Sequence, residues 1–328
     1  MRHPALVPRA DSRLYHMAFG VFLLEPSFTA EQLACLRRKQ QRGRPIMFVR
    51  TCHGLCNQLR AALSYLHVAR RQGQTLFVQW SVSTACPAKF CDLFEPVHGM
   101  HVIYSIAELL PHLRDQQQVS KHLPRETCTT HPLVRDTEAE TSMYADLVPL
   151  APLRAEIRKG VDACGGPHNY VSFHVRRSDH AVEKSRQTSD EDFERFLTDL
   201  GRGALGGGDF GVFVATDNPA TQRRMTELCG SRVRHMEPIV DTIPDDPSFR
   251  YTSVQRAVCD IFIAAEAAVF KGSFFSSFSD TIQRLRQQSG SASVADEHPL
   301  LPSSALSGAT RTSGGKMSEL ACVVLEGF

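Results

Sequence analysis

The stretch YVSFHVRRSD, residues 170–179, decides how the fold is interpreted. Its apolar part, Tyr170 to Val175, predicts a short buried strand. The chemically distinctive residues at its end are His174, Arg176, Arg177 and Asp179. In parallel α/β sheets, ligands bind beyond the carboxyl ends of the strands. Two guanidinium groups there suit a diphosphate, because an arginine fork binds phosphate oxygens bidentately. The alternative is a surface arginine pair that forms salt bridges with nearby acids.

Strands and helices alternate on both sides of this stretch. The other predicted strands are residues 45–51, 75–80, 101–104, 211–215, 232–236 and 267–270. Helices are predicted to begin after Asn57, Ser189 and Asn218, which are residues of the kind that cap helix N-termini. This alternation predicts parallel sheets joined by right-handed crossovers, and therefore an α/β fold with two Rossmann-like lobes.

The same pattern divides the chain into four parts. Residues 1–44 are a peripheral segment, 45–155 form the first Rossmann-like lobe, 156–288 form the second, donor-binding lobe, and 289–328 form a tail. Residues 111–168 contain six prolines and are predicted to be irregular, so the junction between the lobes is placed among them, near 150–165. The tail is rich in Ser, Gly and Ala and is predicted to be disordered.

Composition excludes some classes of function. The chain has 328 residues, 42% of them hydrophobic, and a net charge of +2, without a basic tract of the kind that binds nucleic acid. The most apolar early stretch, residues 17–24, is far shorter than the about 20 residues that cross a membrane. It also lacks the features of a signal peptide, so we expect either a cytoplasmic protein or a chain that lacks its natural N-terminus.

Ten cysteines are many for a cytoplasmic enzyme of this size. Zinc sites favour CxxC pairs, whereas the closest pairs here, Cys52/Cys56 and Cys86/Cys91, are spaced more loosely. We therefore expect no metal site, and a few disulfides if the chain is lumenal. Cys229 and Cys259 fall on helical patterns and are interpreted as small buried apolar residues.

Three further segments place polar residues at the ends of strands. In KGSFFSSFSDTI, residues 271–282, Ser276 and Ser277 precede a helix, where hydroxyl and amide groups bind an anion or simply cap the helix. In VFVATDN, residues 212–218, Asp217 has three interpretations: it binds a sugar hydroxyl, it orients an arginine, or it forms an ordinary turn before the helix. In HGLCNQLR, residues 53–60, Asn57 either caps the helix or faces the cleft. Neither GxGxxG nor a P-loop is present.

A DxD pattern at Asp190–Asp192 has a structural interpretation. Metal-dependent glycosyltransferases use such a pair of acids to hold a cation. Ser189 stands where a helix cap is expected, however, and acidic residues are favoured in the first turn of a helix. We therefore assign these aspartates to a helix start.

The order of GLCNQLR, HVRRSD, ATDN and GSFFSSFS resembles the fucosyltransferase superfamily that contains the α1,6-fucosyltransferases, the nodulation fucosyltransferases and the protein O-fucosyltransferases. The resemblance covers roughly residues 45–287, and HVRRSD is its most specific motif. It implies a GT-B-type arrangement of two lobes, inverting chemistry, GDP-fucose as donor and no metal or other cofactor. It also implies a glycan or glycoprotein acceptor and a location in the Golgi or endoplasmic reticulum lumen.

The resemblance implies roles for individual residues. Arg176 would contact the β-phosphate and stabilise the leaving GDP, His174 would hold the donor and Asp260 would read the guanine. The predicted donor-binding residues are Asn57, His174, Arg177, Asp179, Asp217, Asp260, Ser276, Ser277 and Phe278. The α1,6 enzymes carry an acid as general base where this chain has Lys184, so the adjacent Glu183 is the candidate base.

Two alternatives remain open at this stage. Gly54 replaces an arginine expected before the corresponding motif of the protein O-fucosyltransferases, and Asn218 replaces a second acid of the α1,6 enzymes. These departures leave room for a nucleotide-sugar or glycan-binding protein without turnover. The second alternative is an inverting transferase that uses another nucleotide sugar.

Overall fold

The computed structural model describes residues 46–105, 126–134, 141–177, 188–202, 210–235, 252–292, 296 and 323–325. Within these residues, two four-stranded sheets form the framework, with strand orders β3-β2-β1-β8 and β6-β5-β4-β7. The first contains β1 (Ile46–Arg50), β2 (Thr75–Gln79), β3 (Met100–Ile103) and β8 (Val323–Leu325). The second contains β4 (Tyr170–His174), β5 (Gly211–Ala215), β6 (Val233–His235) and β7 (Val269–Lys271). All pairs are parallel except β1 with β8, which confirms the α/β fold class.

Helices cover the sheets. They are α1 (Leu55–Arg71), α2 (Ala151–Ala163), α3 (Asp190–Arg202), α4 (Pro219–Cys229), α5 (Val254–Ala265) and α6 (Ser277–Ser289), with 3₁₀ turns at Phe90–Asp92, Met143–Asp146 and Gly230–Arg232. These two lobes of parallel sheet and helix match the two Rossmann-like lobes that the alternation predicted and the GT-B-type arrangement that the resemblance implied.

The central strands are buried on both faces, as expected for parallel sheets that helices cover. In β1, Met47, Phe48 and Val49 are all buried, and every residue of β4 and of β5 is buried. These strands therefore read as continuous apolar runs in the sequence, which is why their positions were predictable.

The predicted cap of the first helix is wrong. Helix α1 begins at Leu55, Gly54 occupies the N-cap position with extended backbone, and Asn57 is the third helical residue. A glycine can cap a helix through its backbone alone, so a pattern search for polar caps passes over it. The predicted caps Asn218 and Ser189 are confirmed, since each side chain accepts a hydrogen bond from an amide in the first turn of its helix.

Helix α2 corrects the prediction that residues 111–168 are irregular throughout. Pro152 lies at its first turn, where the missing amide hydrogen costs nothing, so this proline starts a helix instead of breaking one. The preceding residue, Leu150, still bonds to Leu93 of the first lobe, whereas α2 packs against α5 of the second. The predicted boundary at residue 155 therefore falls within α2.

The predicted disordered tail contains two parts that belong to the fold. The side chain of Asp296 is buried against the second sheet, where its carboxylate binds Arg286, and Val323–Leu325 add strand β8 to the first sheet. Composition alone misses both contacts, because one carboxylate and three residues hardly change the average of a Ser-rich segment.

The lobes share a continuous apolar core. Helix α6 of the second lobe packs against α1 and the 3₁₀ turn at Met143–Asp146 of the first, and one buried cluster includes residues of both sheets. Among the residues that the structure describes, no helix is both long enough and apolar enough to cross a membrane.

Candidate functional site

The site is built where β4 and β7 end, at the same edge of the second sheet. His174, the last residue of β4, is buried, and its Nδ1 lies 2.7 Å from the Oγ of Ser279. Its imidazole stacks on the ring of Phe278, with 4.3 Å between centroids and 22° between planes. The first turn of α6 therefore fixes the orientation of the histidine ring.

Ser273 ties the backbone of this segment to the loop after β7. Its Oγ donates to the carbonyl of His174 at 2.8 Å and accepts from the amide of Arg176 at 2.9 Å. Its own amide donates to the Oγ of Ser279 at 3.0 Å. Two buried serines, Ser273 and Ser279, thus hold the beginning of the HVRRSD motif against the start of α6.

The N-terminus of α6 presents unpaired donors. Ser276 occupies the N-cap position, is only 2% exposed, and its hydroxyl makes no hydrogen bond with any residue in the described part of the chain. The first amides of any helix lack intrahelical partners, and the aligned peptide dipoles concentrate positive potential there. Phe275, just before the cap, has φ of 58°, a backbone conformation that few non-glycine residues adopt. This end of the helix has the features of an anion site.

The two arginines after β4 have different surroundings. The Nη2 of Arg177 donates to Asp190 at 2.9 Å, and Asp190 also lies 3.5 Å from the Nε of Arg224. Arg176 is half-buried, and Ser273 fixes its amide. Arg177 therefore forms the kind of salt bridge that the alternative interpretation expected, with Asp190 as its acid.

The DxD residues serve the start of α3. The amide and hydroxyl of Ser189 both donate to Asp192, and the Oγ of Ser189 accepts from the amide of Asp192 in return. These hydrogen bonds, led by the one from the Ser189 amide, lower the pKa of the Asp192 carboxyl. Since Asp190 binds arginines, both acids are engaged as the predicted helix start requires.

Asp217 lies at the same edge of the sheet. It follows β5, the neighbour of β4, and the register pairs His174 with Ala215, two residues before Asp217. Asn218 then caps α4 through a 2.9 Å bond from the amide of Thr221. Of the predicted acids that the structure describes, Asp217 follows the strand that pairs with the one ending at His174.

Asp260, the acid that the resemblance assigns to guanine, is buried on α5. Its Oδ1 lies 2.7 Å from the Nε of Arg256, one turn earlier on the same helix. A buried carboxylate needs such a partner, because removal from water alone would disfavour its charge. The role in guanine binding stays a prediction.

Asn57 lies in the first lobe, in a segment held by buried polar side chains. Its Oδ1 accepts from Arg60 at 2.8 Å. Gln58 is fully buried and bonds through both ends of its side-chain amide: Nε2 donates to the carbonyls of His53 and Ser81, and Oε1 accepts from the amide of Ser81 at 2.9 Å. Gln58 and Arg60 therefore have structural roles in this motif, and these roles do not depend on what Asn57 binds.

Some predicted residues are outside the described part of the chain, and others were missed. Asp179, Glu183 and Lys184 lie outside it. Ser273 and Ser279 were missed, although the sequence held a signal: Ser279 comes three residues after the predicted cap Ser276, which places it one turn later on the same face of the helix.

No protein-family model matches the chain, and neither does any curated protein sequence. Solved structures of similar shape include NodZ α-1,6-fucosyltransferase soaked with GDP-fucose, at 18% identity over 73% of this chain and 91% of that one, with a TM-score of 0.48. POFUT1 in complex with GDP-fucose matches at 12% identity over 78% of this chain and 96% of that one, also with a TM-score of 0.48. At such low identities and TM-scores these likenesses carry no functional argument.

Proposed function

We propose that this chain binds GDP-fucose and transfers fucose to a hydroxyl of a glycan or glycoprotein, with inversion at the anomeric carbon. The observation that carries the proposal is the buried, unpartnered hydroxyl of Ser276 at the start of α6, the helix whose first turn contacts His174. The motif order described above supplies the identity of the donor.

The anion site suits a diphosphate. A buried hydroxyl without a partner costs about 1–3 kcal/mol, which a phosphate oxygen would recover by accepting its hydrogen bond. The first-turn amides of a 13-residue helix add further donors and a favourable dipole. Ser277, the first residue of α6, is half-buried and is proposed to bind the same anion.

Arg176 is proposed to stabilise the leaving group. As the bond between fucose and phosphate breaks, negative charge grows on the β-phosphate, and positive charge spreads over the sugar ring. A guanidinium and helix amides that are already in place stabilise that charge without reorganisation, and each such donor is typically worth about 3 kcal/mol. His174, whose ring is fixed by Ser279 and Phe278, is proposed to hold the donor in line.

The acceptor hydroxyl must lose its proton as it attacks from the face opposite GDP. Glu183 is proposed as the base, since it lies close to the motif in sequence. A Glu183→Gln variant that kept full turnover while binding donor normally would remove it from the mechanism.

A protein that binds the nucleotide sugar without turnover is the second candidate. One observation favours it: Asn218, which replaces a second acid of the α1,6 enzymes, caps α4 by accepting from the amide of Thr221 at its Oδ1. An assay that separates binding from turnover therefore decides between the two.

The test is calorimetric titration of GDP-fucose and GDP without added divalent metal, on the wild-type protein, Ser276→Ala, Arg176→Ala and the exposed control Arg158→Ala. We expect both site variants to bind at least about tenfold more weakly, which corresponds to about 1.4 kcal/mol, and the control to match wild type. Folded wild-type protein that binds neither ligand would overturn the proposal. Tight binding without release of GDP across a panel of glycan acceptors would favour the second candidate.

A further inference from the structure

Three metal-binding side chains meet in the first lobe, outside the candidate donor site. The Sγ atoms of Cys52 and Cys128 and a ring nitrogen of His53 all lie within 4.8 Å of one another. The two cysteines are far apart in the sequence, and neither pairing considered from the spacing, Cys52 with Cys56 or Cys86 with Cys91, is the one that the fold produces.

The backbone builds this cluster at the end of β1. Thr51 and Thr127 form a parallel bridge, in which the amide of Thr127 donates to Arg50 at 2.8 Å and the amide of Cys52 donates to Thr127 at 3.2 Å. Cys52 and Cys128 are therefore neighbours, each one residue beyond the bridge. Their proximity is a consequence of strand pairing and does not require any movement of the chain.

Two further features distinguish the cluster, a side chain that binds its backbone and a residue with an unusual backbone conformation. Arg60 donates from Nε and Nη2 to the carbonyl of Cys128, at 3.2 and 2.7 Å. His53 has φ of 67°, in the left-handed region that non-glycine residues rarely adopt. Strained residues of this kind are found preferentially at ligand sites, where the surrounding structure maintains the conformation.

We propose that Cys52, Cys128 and His53 bind a thiophilic divalent cation of the zinc class. Two thiolates and an imidazole form a donor set that zinc prefers, with a fourth tetrahedral position left for water or another ligand. Zinc–sulfur bonds of about 2.3 Å and zinc–nitrogen bonds of about 2.0 Å place the ligand atoms about 3.5–3.8 Å apart, so the cluster needs only a small closure.

The charges are compatible with this occupant. A divalent cation with two thiolates and a neutral imidazole has no net charge, so the nearby cationic side chain of Arg60 does not oppose it. His53 is exposed, and both cysteines are half-buried, which leaves an entry path from solvent. A bound cation would fasten residues 126–134 to the turn that precedes α1. This role is independent of the proposed transferase activity.

The test is titration of the full chain, made metal-free and kept reduced, with Co²⁺ as a spectroscopic substitute. We expect one equivalent to produce a thiolate-to-cobalt charge-transfer band and the visible bands of tetrahedral Co²⁺, and Zn²⁺ to abolish both. The variants are Cys52→Ser, Cys128→Ser and His53→Asn, and the control is Cys91→Ser, an exposed cysteine elsewhere. Asparagine tolerates the left-handed backbone, so it removes the imidazole alone.

We expect each ligand variant to weaken binding by more than about a hundredfold, since changes in outer-shell partners alone cost about 10–100-fold, while Cys91→Ser binds as wild type. Circular dichroism of each variant establishes that it is folded. Absence of the charge-transfer band in the folded, reduced wild-type protein would overturn the proposal. A Cys52–Cys128 disulfide that forms on exposure to air despite excess Zn²⁺ would also overturn it, because bound metal protects thiolates from oxidation.

Discussion

The Nδ1 of His174 and the Oγ of Ser279 are 2.7 Å apart, although 105 residues separate them in the chain. Ser279 is fully buried and also accepts a hydrogen bond from the amide of Ser273. One hydroxyl therefore links the end of β4, the loop after β7 and the first turn of α6.

Removal of that hydroxyl is expected to destabilise the protein. In Ser279→Ala, the imidazole of His174 and the amide of Ser273 lose a buried partner, and each unsatisfied group costs about 1–3 kcal/mol. Urea denaturation measures the difference, and Ser231→Ala, at an exposed position, is the control. A Ser279→Ala protein as stable as the control would show that this hydroxyl does not hold the segments together.

A buried ion pair one turn later on α6 gives a second prediction. Asp280 and Arg284 are 4% and 2% exposed, and the Nε of Arg284 lies 3.1 Å from the carboxylate. Arg284→Met leaves a buried carboxylate without its cation, which is expected to cost about 3–5 kcal/mol.

The double variant Asp280→Leu with Arg284→Met removes both charges and is expected to be more stable than Arg284→Met alone. Denaturant titration of both variants checks this order. A double variant that is less stable than the single one would contradict the explanation by desolvation.

Asp296 is expected to be essential for the stability of the second lobe. Its carboxylate accepts from Arg286, from the amide of Phe270 at 2.9 Å and from the Nε2 of Gln283 at 3.1 Å. Asp296→Ala is expected to lower the free energy of unfolding by about 3–5 kcal/mol, because Arg286 is fully buried. The exposed control is Asp162→Ala, and equal thermal stability of the two variants would refute the prediction.

His131 is expected to make stability depend on pH. Burial lowers the pKa of His131 from its ordinary value of 6.5, and its Nδ1 accepts from the amide of Leu133 at 3.1 Å, which requires the neutral ring. The unfolded chain therefore binds a proton more readily than the folded one, so stability is present above 6.5 and declines as the pH falls below it.

The measurement compares the free energy of unfolding at several pH values between about 7.5 and 5.5, a range that spans the ordinary histidine pKa. We expect His131→Gln to lose part of the decline seen in wild type, whereas His98→Gln, at an exposed position, retains it. Parallel pH profiles for wild type and His131→Gln would assign the effect to other groups.

The sequence predicted the fold because buried parallel strands leave a continuous apolar signal. The strand at 170–175 and the one at 211–215 were found almost to the residue, since both faces of each are covered. Helix α2 was missed because a proline is favoured in the first turn of a helix but breaks a helix in its interior, and Pro152 was interpreted as a breaker. The cap of α1 was misplaced because Gly54 acts through its backbone.

The site was predictable only where its residues are adjacent in sequence. His174, Arg176 and Ser276 stand in motifs that one strand end or one helix start brings together. Ser273 and Ser279 lie in the same segment as Ser276, but they contact Arg176 and His174 across separations of 97 and 105 residues. Cys128 meets Cys52 through a strand bridge. Contacts over such separations depend on the packing of the whole sheet, which no local pattern contains.

Helix α6 is a structural part of both lobes: its N-terminus completes the candidate anion site, Arg286 anchors it beneath the second sheet, and one face packs on α1 of the first lobe. Separated from its neighbour, either lobe would expose an apolar face that now lies within a common core. We therefore expect the described lobes to unfold as a single cooperative unit, so that a nucleotide bound at the start of α6 raises the melting temperature of both together.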